Sequence, residues 1–228
     1  MNTGLRRFAK REQIQEPERC EMCREVLDDR HGHVVDLEQR SLACACRACY
    51  LLFTHEGAAG GRYKSVPDRY RHDPLRPLTD ADWDDLGIPV STAFFFTSSA
   101  VDRVLAYYPG PAGATESLLD LDGWDRVAAE HPLLTAARPD VEAIFVSGRE
   151  AFLVPIDACY RLVGTLRMAW HGFDGGQEVR EALATFLATA RERSRPIADS
   201  ELGRPFAGSE PGRPNAGPQP SRPISRGA

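Results

Sequence analysis

The sequence lacks any run of 18 apolar residues, so no membrane-spanning helix is expected. Its first residues, MNTGLRRFAKREQ, carry charge but have neither an apolar segment nor a small-residue cleavage site, so no secretory signal is expected. Together these two absences predict a cytoplasmic protein. In a reducing cytoplasm, clustered cysteines bind metals or carry out redox chemistry more often than they form disulfides.

The sequence also lacks the fingerprints of common catalytic and nucleotide-binding sites. It contains no G-x-S-x-G, P-loop, H-E-x-x-H or dinucleotide-binding motif. Carboxylate pairs such as Asp84–Asp85 and Asp120/Asp122 are interpreted as helix caps and solvated faces. No catalytic residue is therefore assigned, and we expect a non-enzymatic protein.

The sequence also lacks an excess of basic residues. The chain has 28 Lys and Arg against 33 Asp and Glu, which gives a net charge of −5. Binding to nucleic acid through a broadly basic surface depends on excess positive charge, so a nucleic-acid partner is not expected. With 42% hydrophobic residues among 228, the chain can still bury a core of ordinary size.

Cysteine is what the sequence does have, and it is concentrated in one stretch. Five of the six cysteines lie before Phe53, and four of them follow the pattern Cys20-x2-Cys23-x22-Cys46-x2-Cys49. Each C-x2-C turn lets two thiolates converge on one ion, and two such turns supply a tetrahedron of soft ligands. The pattern predicts a metal site at these four residues, with zinc as the expected ion and iron as the alternative.

The residues between and after the cysteine pairs predict a small fold around that ion. HVVDL and RSLAC are typical of a β-hairpin, and RACYLLF is typical of a helix that carries the second pair in its first turn. This order resembles treble-clef and zinc-ribbon modules. Rubredoxin-type turns usually place glycine after the second cysteine of each pair, whereas Arg24 and Tyr50 stand here, which favours structural zinc over iron.

Three further residues in the stretch leave the chemistry open. Cys44 is interpreted as a small apolar core residue, and alternatively as an exchanging ligand or part of an iron–sulfur site. His31 and His33 lie two residues apart on a strand, so both imidazoles point to one face. We interpret them as histidines at the surface or in contact with the metal ligands, and alternatively as ligands of a second metal or replacement ligands.

The remainder of the chain is predicted to form one α+β domain with an antiparallel sheet, C-terminal helices and a disordered Pro/Gly-rich tail. In chain order, we expect a flexible arm (1–18), the metal module (19–53), a linker or extended loop (54–78), the α+β domain (79–193) and the disordered tail (194–228).

Local patterns place the elements of that domain. Thr79 with Asp82 predicts a capped helix that ends at Gly87. Downstream, we expect strands near 90–97, 103–109 and 115–121 and a helix within 122–132. Residues 141–146 and 151–156 are expected to form a hairpin with a four-residue loop. A helix capped by Asp157 should run to about Trp170, and a last helix should cover about 177–193.

The segments CEMC, HGHVVDLEQRSLACACRACYLLF and WHGFDGG with EVREAL resemble an uncharacterised actinobacterial family encoded beside a high-affinity [NiFe]-hydrogenase. The resemblance covers about residues 15–193. It implies a context of hydrogenase maturation, electron transfer or assembly, with a protein partner, and it transfers no catalytic residue.

Three functions are therefore weighed. The preferred one is a non-enzymatic, zinc-stabilised accessory or protein-interaction protein, which the resemblance associates with hydrogenase. The alternatives are a rubredoxin-like or iron–sulfur electron carrier and a nucleic-acid-binding zinc module. The last would use the local bases Arg19, Arg24, Arg30, Arg40 and Arg47.

Overall fold

The computed structural model describes residues 17–55, 57–87, 90–117, 123–172 and 175–202. Its strands are β1 (Gly32–Asp36), β2 (Ser41–Ala45), β3 (Tyr63–Ser65), β4 (Arg71–His72), β5 (Thr92–Ser98), β6 (Arg103–Gly110), β7 (Gly113–Glu116), β8 (Glu142–Ser147), β9 (Glu150–Pro155) and β10 (Arg195–Pro196). Its α-helices are α1 (Arg47–Leu52), α2 (Asp80–Leu86), α3 (Trp124–Glu130), α4 (Ile156–Ala169) and α5 (Gly176–Arg193).

The N-terminal unit has the order of a treble clef. A turn carrying the first cysteine pair precedes the β1–β2 hairpin, and α1 follows with the second pair at its start. β3 adds to the free side of β1, so the small sheet has the order β2-β1-β3. We call residues 19–53 the cysteine module.

The second sheet has seven strands in the order β10-β4-β9-β8-β5-β6-β7, and we call it the main sheet. All neighbouring pairs are antiparallel except β10 with β4. Successive side chains of a strand point to opposite faces, and the FFF run of β5 uses this alternation. Phe95 packs against Trp124 on one face, while Phe94 stacks with Tyr107 on the other.

Helices cover both faces of the main sheet. One core contains residues of α2 and α3, including Leu86 and Trp124, packed against β5, β8 and β9. The other contains the apolar faces of α4 and α5, in which Leu166 is fully buried and the Phe186 ring lies 4.7 Å from that of Phe145. The predicted α+β class, with antiparallel sheets and C-terminal helices, is confirmed.

The hairpin loop is shorter than predicted. Ser147 pairs with Glu150, so the connection holds two residues and not four. Gly148 adopts φ +59, which lets the chain reverse within this short turn.

The start of α4 also differs from the expectation. α4 begins at Ile156 after Pro155, whose fixed φ suits the entry to a helix, and no side chain caps it. Asp157 therefore lies in the first turn and is not the cap. This shift leaves its carboxylate free to bind elsewhere.

The structure adds strands to two stretches that the sequence predicts to be irregular. The expected linker 54–78 carries β3 and β4, one in each sheet. Residues 195–196 of the expected tail form β10 beside β4, and Glu201 bonds to Arg71 at 2.9 Å. These strands are two or three residues long, too short to show a hydrophobic period.

Parts of some predictions lie outside the described residues. These are the arm up to residue 16, the end of the third predicted strand with Asp120 and Asp122, and the tail from 203 onward. Within the described ranges, no helix is both long and apolar enough to cross a membrane.

Candidate metal centre

The first cysteine pair is held by a tight turn. The Arg24 amide donates to the Cys20 carbonyl and the Cys20 amide donates to the Glu25 carbonyl, each at 2.8 Å. Arg24 adopts φ +69, a backbone conformation that glycine favours. The chain thus forms a complete C-x2-C turn with an arginine at the glycine position.

The second pair is placed by the start of α1. Cys46 is the N-cap, in an extended conformation, and Cys49 lies in the first turn. The Tyr50 amide donates to the Cys46 carbonyl at 2.8 Å, which closes that turn. The unpaired amides of a helix N-terminus favour negative charge on nearby sulfur.

These two turns bring the four predicted cysteines together, and we call them the four-cysteine cluster (Cys20, Cys23, Cys46, Cys49). Their sulfur atoms all lie within 4.8 Å of one another. The Sγ atoms of Cys23 and Cys46 are 3.6 Å apart. A tetrahedral zinc ion with Zn–S bonds of about 2.3 Å separates its sulfurs by about 3.8 Å. The cluster could therefore hold one metal ion with little rearrangement.

The cluster is tuned to hold negative charge at one sulfur. Burial disfavours the Cys20 thiolate, but backbone hydrogen bonds from Cys46, Cys23 and Met22 outweigh it and lower the pKa of Cys20 to about 6. Burial, followed by the neighbouring thiols, raises the pKa of Cys49 above its ordinary value. If all four were thiolates, they would repel one another at these distances unless a cation lay between them.

Cys44, His31 and His33 do not join that cluster. They form a separate one, which we call the His–His–Cys cluster, in which one donor atom of each residue lies within 4.8 Å of the others. Cys44 faces His33 across the β1–β2 register. It is half-buried, and burial together with the Glu18 and Glu21 carboxylates raises the pKa of its thiol.

Asp157 is the member of this region that the sequence does not indicate. Its Oδ2 lies 2.9 Å from Nδ1 of His33. The residue comes from α4, so the contact joins the cysteine module to the helices of the main sheet. Nothing local to Asp157 predicts this, because the contact depends on how the two sheets pack.

A cleft of about 990 Å³ opens beside the His–His–Cys cluster. Its walls come from both the cysteine module and the α4–α5 side of the main sheet, and they carry both signs of charge. The charged lining residues are Glu18, Asp29, Arg30, Arg47, Asp68, Asp157, Arg161 and Arg193.

A third group, Asp82, Glu130 and His131, also brings donor atoms together. Asp82 accepts from the Thr79 amide at 2.7 Å in the predicted capping box, and its Oδ2 lies 3.1 Å from Nε2 of His131. Asp82 and His131 already bind each other, so we interpret their contact as a structural link between α2 and the end of α3.

Comparison with known families matches residues 19–194 to DUF5947, a family of unknown function. The comparisons find no match among curated proteins or solved structures. The matched range contains the four-cysteine cluster, the His–His–Cys cluster and nearly all of the main sheet. The chain therefore belongs to the DUF5947 family.

Proposed function

We propose that the four-cysteine cluster binds a structural zinc ion and that the protein is a non-enzymatic accessory protein acting through a protein partner. The observation that carries the metal proposal is the convergence of four sulfurs within 4.8 Å, three of them buried. Four protein ligands occupy all the coordination positions of a tetrahedral ion and leave none for a substrate, as in structural zinc sites.

Zinc is preferred to iron on the chemistry around the sulfurs. Arg24 and Tyr50 follow the second cysteine of each pair, where rubredoxin-like turns carry glycine. Four thiolates on zinc leave a formal charge of −2, and Arg19, Arg24 and Arg47 lie close in sequence to offset it. The ion would contribute folding free energy on the order of 10 kcal/mol.

The cysteine module has little apolar interior of its own. Val34 and Ala45 are the buried non-cysteine residues of its core, with a few half-buried side chains around them. A metal ion compensates for so small a core. We therefore assign the zinc a role in building the module.

Support for a protein partner comes from α1 and from the sequence resemblance. Leu51 and Leu52, directly after the second cysteine pair, are 47% and 66% exposed. Exposed apolar side chains on a rigid, metal-braced helix suit a docking surface. The resemblance indicates a partner among [NiFe]-hydrogenase or its maturation and electron-transfer proteins. All six cysteines are free thiols, which is compatible with the cytoplasm.

Metal identity tests the first part. Full-length protein is dialysed against EDTA under reducing conditions, and its metal content and visible spectrum are measured. We expect the wild-type protein to retain one zinc ion per chain and to be colourless. The Cys49→Ser variant should lose this zinc, and the control variant Cys159→Ala should keep it. Retained iron with visible absorption would support the electron-carrier alternative, and absence of any retained metal would contradict the proposal.

The partner proposal has its own test. The full-length protein and a Leu51→Ser/Leu52→Ser variant are mixed with a purified [NiFe]-hydrogenase and its maturation proteins from the same organism. We expect binding that the double variant loses while it keeps its zinc. A Met168→Ser control removes another exposed apolar side chain, on α4. Failure of every combination to bind would contradict the hydrogenase context.

A further inference from the structure

The two histidines of the His–His–Cys cluster are held so that Nδ1 faces a hydrogen-bond acceptor on both rings. Nδ1 of His31 lies 2.9 Å from the Asp28 carbonyl, and Nδ1 of His33 lies 2.9 Å from the Asp157 carboxylate. A carbonyl and a carboxylate only accept hydrogen bonds, so each Nδ1 carries the proton. Nε2 is then the nitrogen with a free lone pair on both rings.

Nε2 of His31 is a buried polar atom without a partner. The side chain is 10% exposed, and the atom has no hydrogen-bond partner among the described residues. A buried nitrogen without a hydrogen bond destabilises the folded state, because it loses its contacts with water and gains nothing in return. Such a cost points to a ligand that the lone pair would bind.

We propose that His31, His33 and Cys44 form a second metal site, separate from the four-cysteine cluster, that binds a borderline-soft divalent ion such as Zn²⁺ or Co²⁺. Two imidazoles and a thiolate are donors that such ions prefer. One donor atom of each residue lies within 4.8 Å of the others, and on a tetrahedral zinc ion with Zn–N bonds of about 2.0 Å and a Zn–S bond of about 2.3 Å these atoms would be about 3.3–3.6 Å apart. A small side-chain movement therefore completes the site.

Asp157 acts in this site as a positioning residue. A metal-binding histidine usually donates its other ring N–H to a carboxylate or carbonyl, which fixes the ring and raises its basicity. His33 has the carboxylate form of this arrangement and His31 has the carbonyl form. The pattern is therefore present on both rings.

The backbone between the histidines is shaped for close packing. A Cβ on Gly32 would lie 2.6 Å from Cδ2 of Tyr50, so the Tyr50 ring lies against this part of β1. The Tyr50 hydroxyl donates to the Val66 carbonyl at 3.1 Å, and the Val66 amide donates to the His33 carbonyl at 2.9 Å. These contacts hold the backbone at Gly32 and His33 in place without an ion.

Three protein ligands distinguish this site from the four-cysteine cluster. A tetrahedral ion keeps one position for water or an external ligand when the protein fills only three. His31, His33 and Cys44 all line the cleft, together with arginines on both walls. The second ion would therefore exchange more readily than the first and would be accessible to a small anionic ligand.

Cobalt binding tests the proposal on the full-length protein. Reduced protein is dialysed against EDTA, its zinc content is measured, and it is titrated with Co²⁺ by calorimetry and visible absorption. We expect one further equivalent with a cobalt–thiolate absorption band. His31→Ala and Cys44→Ser should weaken this binding at least 10-fold and keep the EDTA-resistant zinc.

The control is His55→Ala, which removes an exposed histidine outside the cluster and should bind cobalt as the wild type does. Melting temperature and zinc content report on folding, and His31→Gln replaces His31→Ala if the latter unfolds. Absence of a second equivalent in the wild type, or unchanged cobalt affinity in both variants, would overturn the proposal. Wild-type protein that loses all zinc to EDTA, yet binds a cobalt ion that depends on His31, would contradict the proposed function alone.

Discussion

His33 and Asp157 meet across the junction of the two sheets, with 2.9 Å between Nδ1 and Oδ2. His33 lies on β1 of the cysteine module, and Asp157 lies in the first turn of α4. Both side chains are 16% exposed, so the contact is partly shielded from solvent. The orientation of the imidazole thus depends on how the module packs against the helices of the main sheet.

This contact predicts that Asp157→Ala weakens the proposed second site. Loss of a carboxylate that orients a metal-binding histidine typically costs 10–100-fold in metal affinity. We expect the affinity of EDTA-dialysed protein for Co²⁺ to fall by about 10–100-fold. The zinc proposed for the four-cysteine cluster should be retained.

A matched control is Glu178→Ala, which removes the carboxylate 3.6 Å from the exposed His171. Unchanged cobalt affinity in Asp157→Ala would show that Asp157 does not position His33. A variant that also lost its zinc would show that the contact supports the whole module and not one site.

The close contact between Gly32 and Tyr50 predicts a steric effect on stability. An alanine Cβ at Gly32 would lie 2.6 Å from Cδ2 of Tyr50, and the ring is held by its hydroxyl on Val66. Overpacking of this kind costs about 1–3 kcal/mol. We expect Gly32→Ala to lower the free energy of unfolding by that amount in urea titrations.

Gly164 provides the opposite case. It lies within α4, and a Cβ there would meet nothing within 4 Å. Alanine in a helix interior is more favourable than glycine by about 0.5–1 kcal/mol, so Gly164→Ala should stabilise the protein. Equal effects of the two substitutions would contradict the steric explanation.

Local chemistry made much of this fold predictable. The capping box of Thr79 and Asp82 and the left-handed Gly87 at the end of α2 are both confirmed. The long strands β5, β6, β8 and β9 follow apolar runs, because each must bury side chains on one or both faces of a sheet. The residues that determine each of these elements lie within the element or directly beside it in the sequence.

The short strands β3, β4 and β10 could not be predicted in the same way. Each has two or three residues, which is too few for a period, and each is a strand only because a neighbour pairs with it. The His33–Asp157 contact has the same origin. Cysteine spacing indicated the four-cysteine cluster. The sequence also raised His31 and His33 as ligands of a second metal, but the position of Cys44 opposite His33 follows only from the β1–β2 register.

A buried ion pair at the start of β8 predicts a large loss of stability when its carboxylate is removed. Glu142 is fully buried and accepts from Arg69 Nε and Nη2 at 2.7 and 2.6 Å, and from the Arg138 amide at 2.8 Å. Removing one partner of a buried pair leaves the other uncompensated and costs about 3–5 kcal/mol. We expect Glu142→Ala to lower the free energy of unfolding by this amount.

An exposed pair provides the comparison. Arg149 and Asp80 have side chains 68% and 76% exposed, and such pairs contribute about 0–1 kcal/mol. Arg149→Ala should therefore change stability little in the same urea titrations. A Glu142→Ala variant as stable as Arg149→Ala would show that other partners compensate Arg69, of which the Ala136 carbonyl at 2.9 Å and Glu201 at 3.4 Å are already in contact.

Glu201 predicts a specific loss of stability in acid. Hydrogen bonds from Arg71, opposed by burial and assisted by the Ala198 amide and Arg69, lower the pKa of Glu201 from 4.5 to about 2. A carboxyl whose pKa is lower in the folded state stabilises that state above its unfolded pKa. The contribution is lost as pH falls from about 4.5 towards 2. Because the side chain is 24% exposed, we expect ~1–2 kcal/mol at neutral pH.

Glu201→Gln should remove this contribution, so the difference in unfolding free energy between wild type and variant should be constant above about pH 5 and shrink towards pH 2. Asp199→Asn is the control, because Asp199 is an exposed carboxyl in the same 3-10 turn. Urea unfolding across this pH range measures all three proteins. A difference that does not depend on pH would mean that Glu201 and Arg71 are not paired in solution, and would remove the main polar link between residues 199–201 and β4.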